Sequence, residues 1–129
     1  FADRLKIVCD GTKWHTVDHR LTFESATQTI TSAGQLTLAH GLGAEPREVA
    51  FWLQCTTAEH NYSIGDKIPA FMNSSDAATN RANSYTIDST NVVLRFTNTA
   101  ACFVAGDKNT GAISSLTNTN WDIFVRCAL

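Results

Sequence analysis

The stretch from Leu36 to Leu53 constrains the fold of this chain more than any other. It begins with the alternating run LTLA, turns at His40-Gly41-Leu42-Gly43 and Pro46, and continues as the apolar run VAFWL. Alternation with period two is typical of a strand with one buried face, and glycine and proline between two such runs indicate a turn. The stretch predicts a compact antiparallel β fold and carries no catalytic chemistry of its own.

Short strand-like runs recur along the rest of the chain at intervals of about ten residues, with turn residues between them. Eight to ten such runs are expected, and no segment has a sustained helical period. This spacing predicts an all-β domain, an antiparallel β-sandwich or jelly-roll-like fold. We expect an N-terminal hairpin and connector at residues 1–26 and the β-sandwich domain at residues 27–129.

Several segments are predicted individually from their turn and strand residues. Residues 5–9 and 14–17 form a first hairpin, and Ser32-Ala33-Gly34 joins residues 27–30 to 35–39 as a second. Pro69 marks residues 67–72 as an edge strand or no strand, because proline cannot donate to the hydrogen-bond ladder. Residues 19–26 and 107–119 are expected to be connecting segments, and residues 75–80 are a candidate helical turn.

Composition excludes several classes of partner. The chain has 129 residues, enough for one domain with its own core. Its net charge of −2 and pI near 6.0 do not resemble the basic footprint of a nucleic-acid-binding protein. No apolar run approaches the roughly 18 residues of a membrane-spanning helix, so no membrane insertion is expected. No cofactor motif is present in the sequence.

The four cysteines, Cys9, Cys55, Cys102 and Cys127, each lie in an apolar strand-like run. None is spaced as Cys-x-x-Cys, so a zinc ribbon is not expected. The favoured interpretation is four buried thiols that pack as small apolar groups. The rival interpretation is a secreted protein with one or two disulfides, of which Cys9–Cys127 would join the two ends of the chain.

Metal binding and catalysis find little support in the residue spacing. His15 and His19 are separated by about 13 Å along a strand, too far for one metal within a chain. Asp107 begins a segment resembling a calcium loop, but the required glycine and late glutamate are missing, so a turn is expected. No Gly-x-Ser-x-Gly motif occurs. We therefore expect no metal site and no enzymatic activity.

The segment Glu59 to Asp66 is the richest polar and aromatic loop in the sequence. Carbohydrate sites combine flat apolar rings with groups that hydrogen-bond hydroxyls, and this loop has both. The alternative is that Tyr62 packs beneath its own loop and Asp66 caps a turn. The candidate ligand-binding residues are His60, Asn61, Tyr62 and Asp66, with Arg81 from the neighbouring segment 73–81.

Two strand-like runs are apolar on both faces. In the run from Val49 to Cys55, Ala50 and Trp52 lie opposite the main apolar face, and Phe124 interrupts the polar face of the last strand. A two-layer sandwich covers only one face of each sheet, so the second face needs a loop, a third layer or a neighbouring subunit. Ala50, Trp52 and Phe124 are therefore candidate residues of an oligomer interface.

Three segments and the closing run together resemble small domains at the ends of fibre proteins of tailed bacteriophages. The hairpin LKIVCDGTKWH starts at Leu5, LTLAHGLGAEP starts at Leu36, CTTAEHNYSIGD starts at Cys55, and LTNTNW starts at Leu116. The resemblance covers most of the chain and consists of structural motifs that specify no ligand. Fibre tips that stack metals use His-x-His, whereas this chain has His15-x-x-x-His19, so an axial metal is not implied.

The resemblance implies a virion structural protein, assembled in the host cytoplasm and displayed on a tail or head fibre. It implies a homotrimer that contacts other virion proteins and attaches the particle to a host-cell-surface glycan or protein. On this view the N-terminal hairpin is the end of a fibre shaft, and the apolar second faces meet at the trimer axis. Cytoplasmic assembly favours free thiols over disulfides.

Three alternatives remain open at the level of the sequence. In a secreted lectin-like sandwich, the four cysteines could form disulfides. The sequons Asn61-Tyr62-Ser63 and Asn73-Ser74-Ser75 could then be glycosylated. A structural capsid or tail decoration protein would need no receptor. A glycan-degrading enzyme would need two facing carboxylates, which a sequence cannot display.

Overall fold

The computed structural model describes residues 4–9, 14–19, 21–75 and 80–129, and it describes side chains for residues 21–73 and 81–129. The predicted all-β class is confirmed, with antiparallel pairing throughout the described strands. A single 3-10 turn at Asn118–Asn120 is the one helical element in these residues. More strands are present than the eight to ten expected, because several contain only two or three residues.

The strands in the described part of the chain are β1 (Arg4–Cys9), β2 (Trp14–His19), β3 (Thr22–Glu24), β4 (Gln28–Thr29), β5 (Gln35–Ala39), β6 (Glu48–Cys55), β7 (Lys67–Pro69), β8 (Asn73–Ser75), β9 (Asn80–Ala82), β10 (Ser84–Ile87), β11 (Asn91–Arg95), β12 (Phe103–Gly106), β13 (Ile113–Leu116) and β14 (Trp121–Ala128).

The largest sheet is built around the pair β6 and β14. Each strand contributes eight residues, and the register runs from Trp121 opposite Cys55 to Ala128 opposite Glu48. The strand order is β3-β14-β6-β7, with β4 also pairing on the β3 side of β14. Strand β7 closes the far edge, so the edge position predicted from Pro69 is confirmed.

The remaining strands form smaller sheets. Strands β10, β11 and β5 make a three-stranded sheet, and β8–β9 and β12–β13 are hairpins. Strands β1 and β2 pair with each other as the predicted first hairpin, whose turn lies outside the described residues. The division of the chain at residue 26 stays a prediction.

The core lies between the main sheet and the smaller sheets. Alternate residues of β6 and β14 point inward, and the buried face includes Trp121, Ile123 and Val125. They belong to one apolar cluster with residues from β11 and β12, such as Leu94 and Phe103. Each fully buried side chain of this size contributes about 1.5–3 kcal/mol by leaving water, so this cluster is the main source of stability.

The corner between β5 and β6 is held by a buried histidine. His40 has no exposed surface; its Nδ1 accepts a hydrogen bond from the Leu42 amide at 3.1 Å. Since Nδ1 accepts, Nε2 carries the proton and donates to the Asp88 carbonyl at 2.8 Å. Gly41 and Gly43 have φ angles of 66° and 79°, which glycine adopts without steric cost. The corner is thus fastened to the turn between β10 and β11.

The structure corrects the second predicted hairpin. A turn does form at residues 31–34, where the Gly34 amide donates to the Thr31 carbonyl at 2.8 Å. However, β4 pairs with β14 and β5 pairs with β11, so this turn carries the chain from one sheet to another. Turn residues determine a local reversal only, whereas the pairing partner depends on which distant strand covers the buried face.

Other segments also differ from expectation. Residues 22–24, predicted to lie in a connector, form β3 against β14, and residues 113–116, predicted to lie in a loop, form β13. The sequences TFE and ISSL are too short and too polar to display a clear period. Of the candidate helical turn, residues 75 and 80 belong to strands, and residues 76–79 lie outside the described residues.

We predict that His40→Ala lowers the free energy of unfolding by about 2–4 kcal/mol, because it removes two buried hydrogen bonds and leaves a cavity. Urea denaturation measures the change. Thr37→Ala, at an exposed position of β5, is the control and should change stability by less than about 0.5 kcal/mol. Equal effects of the two substitutions would show that His40 does not hold the corner.

Candidate functional site

The predicted ligand-binding loop begins with a two-residue hairpin turn at His60 and Asn61. Glu59 and Tyr62 form an antiparallel bridge, with the Tyr62 amide donating to the Glu59 carbonyl at 2.9 Å. His60 and Asn61 have φ angles of 51° and 66°. Positive φ at both central residues defines a type I′ turn, and asparagine and histidine are the non-glycine residues that adopt this region most readily. The turn therefore follows from the local sequence.

Glu59 anchors this turn to the body of the domain. Its carboxylate accepts hydrogen bonds from the Trp121 indole at 2.9 Å and from the Thr117 hydroxyl at 2.6 Å. The Thr117 amide donates to the same carboxylate. Burial favours the neutral acid, but these hydrogen bonds outweigh it, so the pKa of Glu59 lies below its usual value. The ionised carboxylate is thus part of the folded structure.

His60 also points into the domain. Its Nε2 lies 2.9 Å from the Ser115 carbonyl, which can only accept, so Nε2 donates. The same atom lies 3.5 Å from the Glu59 carboxylate. His60 therefore ties the turn to β13.

Tyr62 packs beneath its own loop. Its ring meets Trp121 edge to face, with centroids 5.3 Å apart, and its hydroxyl donates to the Gly106 carbonyl at 2.6 Å. Burial and, to a lesser degree, the charge of Asp107 raise the pKa of Tyr62. The ring of Tyr62 thus packs against the chain itself. This agrees with the alternative, stated from the sequence, that Tyr62 packs beneath its own loop.

Asn61 reaches across to the turn between β12 and β13. Its side-chain amide contacts both carboxylate oxygens of Asp107, at 2.9 and 3.0 Å. Asp107 Oδ1 also accepts from the amides of Asn109 and Thr110. The hydrogen bond from Asn61, followed by these amides, lowers the pKa of Asp107. The segment that starts like a calcium loop is therefore a turn, as expected from its sequence.

Asp66 forms the third cross-link between the two loops. Its Oδ2 lies 2.7 Å from Lys108 Nζ and accepts the Ser63 amide at 2.9 Å. The Lys108 hydrogen bond is the main reason why the pKa of Asp66 is lowered. Residues 59–66 and 106–113, joined by these contacts, are called the loop cluster below.

Arg81 does not extend the loop cluster. It is buried, 8% exposed, on β9. Its charge acts on Cys102, at the start of the β12 region, whereas Tyr62 meets Gly106 at the end of β12. The structure therefore brings together His60, Asn61, Tyr62 and Asp66 and leaves Arg81 among core residues. A ligand-binding role for these five residues stays a prediction.

Sequence reasoning missed the residues that hold the loop cluster together. Glu59 and Lys108 supply its carboxylate anchor and its ion pair, and neither was singled out as a site residue. Lys108 is 42 residues distant from its partner Asp66, so no local pattern could pair them. The asparagine in the middle of the loop was the one usable signal, because asparagine is enriched at positive φ.

Part of the outward face of β6 and β14 is covered within the chain. Phe124 is only 3% exposed, and Lys67 Nζ and the Arg126 guanidinium lie 5.8 and 5.3 Å from its ring centroid. Arg126 also lies 5.2 Å from the centre of the Trp52 ring. The cations over these rings thus shelter the middle of this face, so the burial of Phe124 does not require another copy. Trp52 is half-buried and Ala50 exposed, and their role in an oligomer interface stays a prediction.

The described cysteines are buried thiols. Cys55, Cys102 and Cys127 are free, so the Cys9–Cys127 disulfide is not formed. Burial raises the pKa of each, which keeps the thiols protonated and unreactive at neutral pH.

Among the described residues, no group of three histidine, cysteine or acidic side chains is placed to hold a metal ion. The side chains of His15 and His19 lie outside the described set. In the same residues, no helix has the length and apolar character needed to cross a membrane.

In comparison with known proteins, no protein-family model matches this chain and no curated protein sequence matches it. The assignment of a function therefore depends on the residues and contacts described above.

We predict that Tyr62→Phe lowers the free energy of unfolding by about 1 kcal/mol, because the ring contact stays and the hydrogen bond to Gly106 is lost. Urea denaturation measures it. Tyr85→Phe is the matched control: Tyr85 is 40% exposed and packs its ring on Phe51, so stability should hardly change. No difference between the two variants would contradict the proposed support of the loop.

Because the pKa of Glu59 is lowered in the folded state, the free energy of unfolding should depend on pH in the acid range. Its ionised form stabilises the fold above the unfolded-state pKa of about 4.3, and this contribution is lost as pH falls through the lower folded-state pKa. Glu59→Gln should therefore be less stable than the original chain at pH 7, and the difference should shrink towards pH 3.

Urea midpoints measured between pH 7 and pH 3 test the Glu59 prediction. Glu45→Gln, at an exposed position outside the loop cluster, is the control and should run parallel to the original chain. A difference for Glu59→Gln that stays constant with pH would exclude an ionised carboxylate as the anchor.

Proposed function

We propose that this chain is a surface-contact domain of a bacteriophage fibre, present in the virion as a homotrimer and attaching the particle to a host-cell surface without catalysis. The sequence resemblance to fibre-end domains supports this proposal. The all-β fold agrees with the resemblance, and buried free thiols suit a protein assembled in a reducing cytoplasm.

The observation that carries the proposal is the cross-linking of the loop cluster. Side chains of Asn61, Tyr62 and Asp66 join one loop to the other, so both are ordered before any partner arrives. Ile64 is 72% exposed and Ile113 is 68% exposed on the same two loops. A pre-ordered loop pair with exposed apolar groups is suited to binding, because little conformational entropy is lost on contact.

Repetition of the domain would strengthen such a contact. A single small patch binds weakly, and three copies on one particle gain affinity through multivalency. The proposed attachment function therefore requires a homotrimer. Its mass in solution should be three times that of the 14.1 kDa chain. A monomeric mass at micromolar concentration would contradict this part of the proposal.

The contact surface itself is tested by Ile64→Asp. We expect labelled wild-type protein to bind cells of at least one strain in a panel of bacteria, and the variant to lose at least ten-fold in binding. Phe71→Asp, at a position 52% exposed outside the loop cluster, is the matched control and should bind as the original chain does. Loss of binding in both variants, or in neither, would contradict the assignment of the surface.

A structural decoration protein without a receptor is the second candidate. It is favoured by the internal use of the polar atoms of His60, Tyr62 and Asp66, which leaves few of them for a ligand. Binding to purified particles with no binding to any cell would favour this second candidate over attachment.

A further inference from the structure

A cleft of about 460 Å³ opens on the main sheet, at the end opposite the loop cluster. It is lined by three successive residues from each of the neighbouring strands β3, β14 and β6. The loop cluster instead meets the other ends of β14 and β6, at Trp121 and Cys55. Five to seven residues of extended strand, roughly 17–23 Å, separate the two places. The cleft is thus distinct from the surface discussed above.

Small side chains create the cleft. Ala50 and Ala128 occupy the outward positions of β6 and β14, because the intervening residue Cys127 points into the core. Larger residues stand around them: Arg126 lies opposite Ala50, and Glu48 lies opposite Ala128. The result is a hollow with an apolar floor and a polar rim, and its volume falls in the range of small-molecule sites.

One part of the rim is held in place before any ligand binds. Arg126 Nε donates to Glu24 Oε1 at 2.5 Å, and the guanidinium lies over the rings of Trp52 and Phe124. A guanidinium fixed by a carboxylate and two rings loses little freedom when its remaining N–H groups bind a ligand. Arg126 therefore lines one side of the cleft with a guanidinium of restricted freedom.

The other part of the rim supplies acceptors. Glu48 is exposed, and its carboxylate has no hydrogen-bond or ion-pair partner among the residues whose side chains are described. Glu24 uses one oxygen for Arg126 and is itself 56% exposed at the side chain. Carboxylates only accept and a guanidinium only donates, so donors and acceptors face the same hollow.

We propose that this cleft binds a neutral pyranose sugar. Hydroxyl groups both donate and accept, so adjacent hydroxyls of one sugar ring can satisfy Glu48 and Arg126 together. The methyl groups of Ala50 and Ala128, rather than an aromatic ring, supply the apolar floor for the C–H face of the sugar. An anionic ligand would face Glu24 and Glu48, and a cationic ligand would face Arg126. The inference rests on the proposed function only in taking the sugar to be part of a host-surface polysaccharide.

Amide chemical shifts of the ¹⁵N-labelled chain test the proposal directly. The probes are methyl glycosides of glucose, galactose and mannose, N-acetylglucosamine, and, as charged comparisons, glucosamine and glucuronate. At least one neutral sugar should shift amides of residues 22–24, 48–50 and 126–128, with a Kd of about 1–10 mM, as expected for a small open site. Charged sugars should bind at least three-fold more weakly.

Two variants and one control test whether the chemical-shift changes come from sugar bound in the cleft. Ala50→Leu fills the hollow and should abolish binding, and Glu48→Gln should weaken it at least three-fold. Ala39→Leu places the same change at an exposed position of β5 and should bind normally. A thermal melt of each variant confirms that it is folded.

The proposal is overturned if no neutral sugar shifts these amides at 50 mM (about five-fold above the weakest expected Kd), if the shifts lie elsewhere, or if charged sugars bind more tightly. Unchanged binding by Ala50→Leu, or coverage of the cleft by another copy of the chain, would overturn it too. Cell binding that survives without sugar binding refutes the cleft alone, whereas sugar binding without cell binding refutes the attachment function alone.

Discussion

The antiparallel pairing of β6 with β14 is the interaction on which the rest of the structure depends. Eight residue pairs join the two strands at the middle of the main sheet, and β3, β4 and β7 add to their free edges. The inward face of this pair supplies Phe51, Leu53, Ile123 and Val125 to the core. Both surfaces of functional interest are placed by the same pair, because the loop cluster adjoins one end and the cleft lies at the other. Slippage of either strand by one residue would exchange the buried and outward faces of that strand.

Basic side chains of the same chain cover part of the outward face of this pair. Arg126 lies over the rings of Trp52 and Phe124, and Lys67 from the edge strand lies over Phe124. The long stems of these basic residues cover apolar surface while their charges stay near water. The apolar second face, taken alone, therefore does not determine an oligomeric state. The same contacts, with the hydrogen bond to Glu24, hold Arg126 beside Ala50 at the rim of the cleft.

The sequence predicted the class of fold because period-two alternation, glycine turns and Pro69 are local signals that act directly on the backbone. It also predicted, as one of two alternatives, that Tyr62 packs beneath its own loop, since an aromatic at the base of a loop usually packs. The pairing partner of each strand could not be predicted in this way. Residues 27–30 and 35–39 are joined by a turn, yet they enter different sheets. Contacts such as Asp66 with Lys108 join residues far apart in the chain, so no local pattern could reveal them. The cleft was equally hidden, since it depends on the register of three strands.

The β6–β14 pair should be the most stable part of the domain, and native-state hydrogen exchange measures this most directly. We expect the amides of β6 and β14 to exchange most slowly and only through global unfolding, with a free energy equal to that from urea denaturation. The short hairpin β8–β9 should exchange faster through local opening. If amides of Leu53 or Ile123 exchanged as fast as those of β8–β9, the pair would not organise the fold, and the central claim would be wrong.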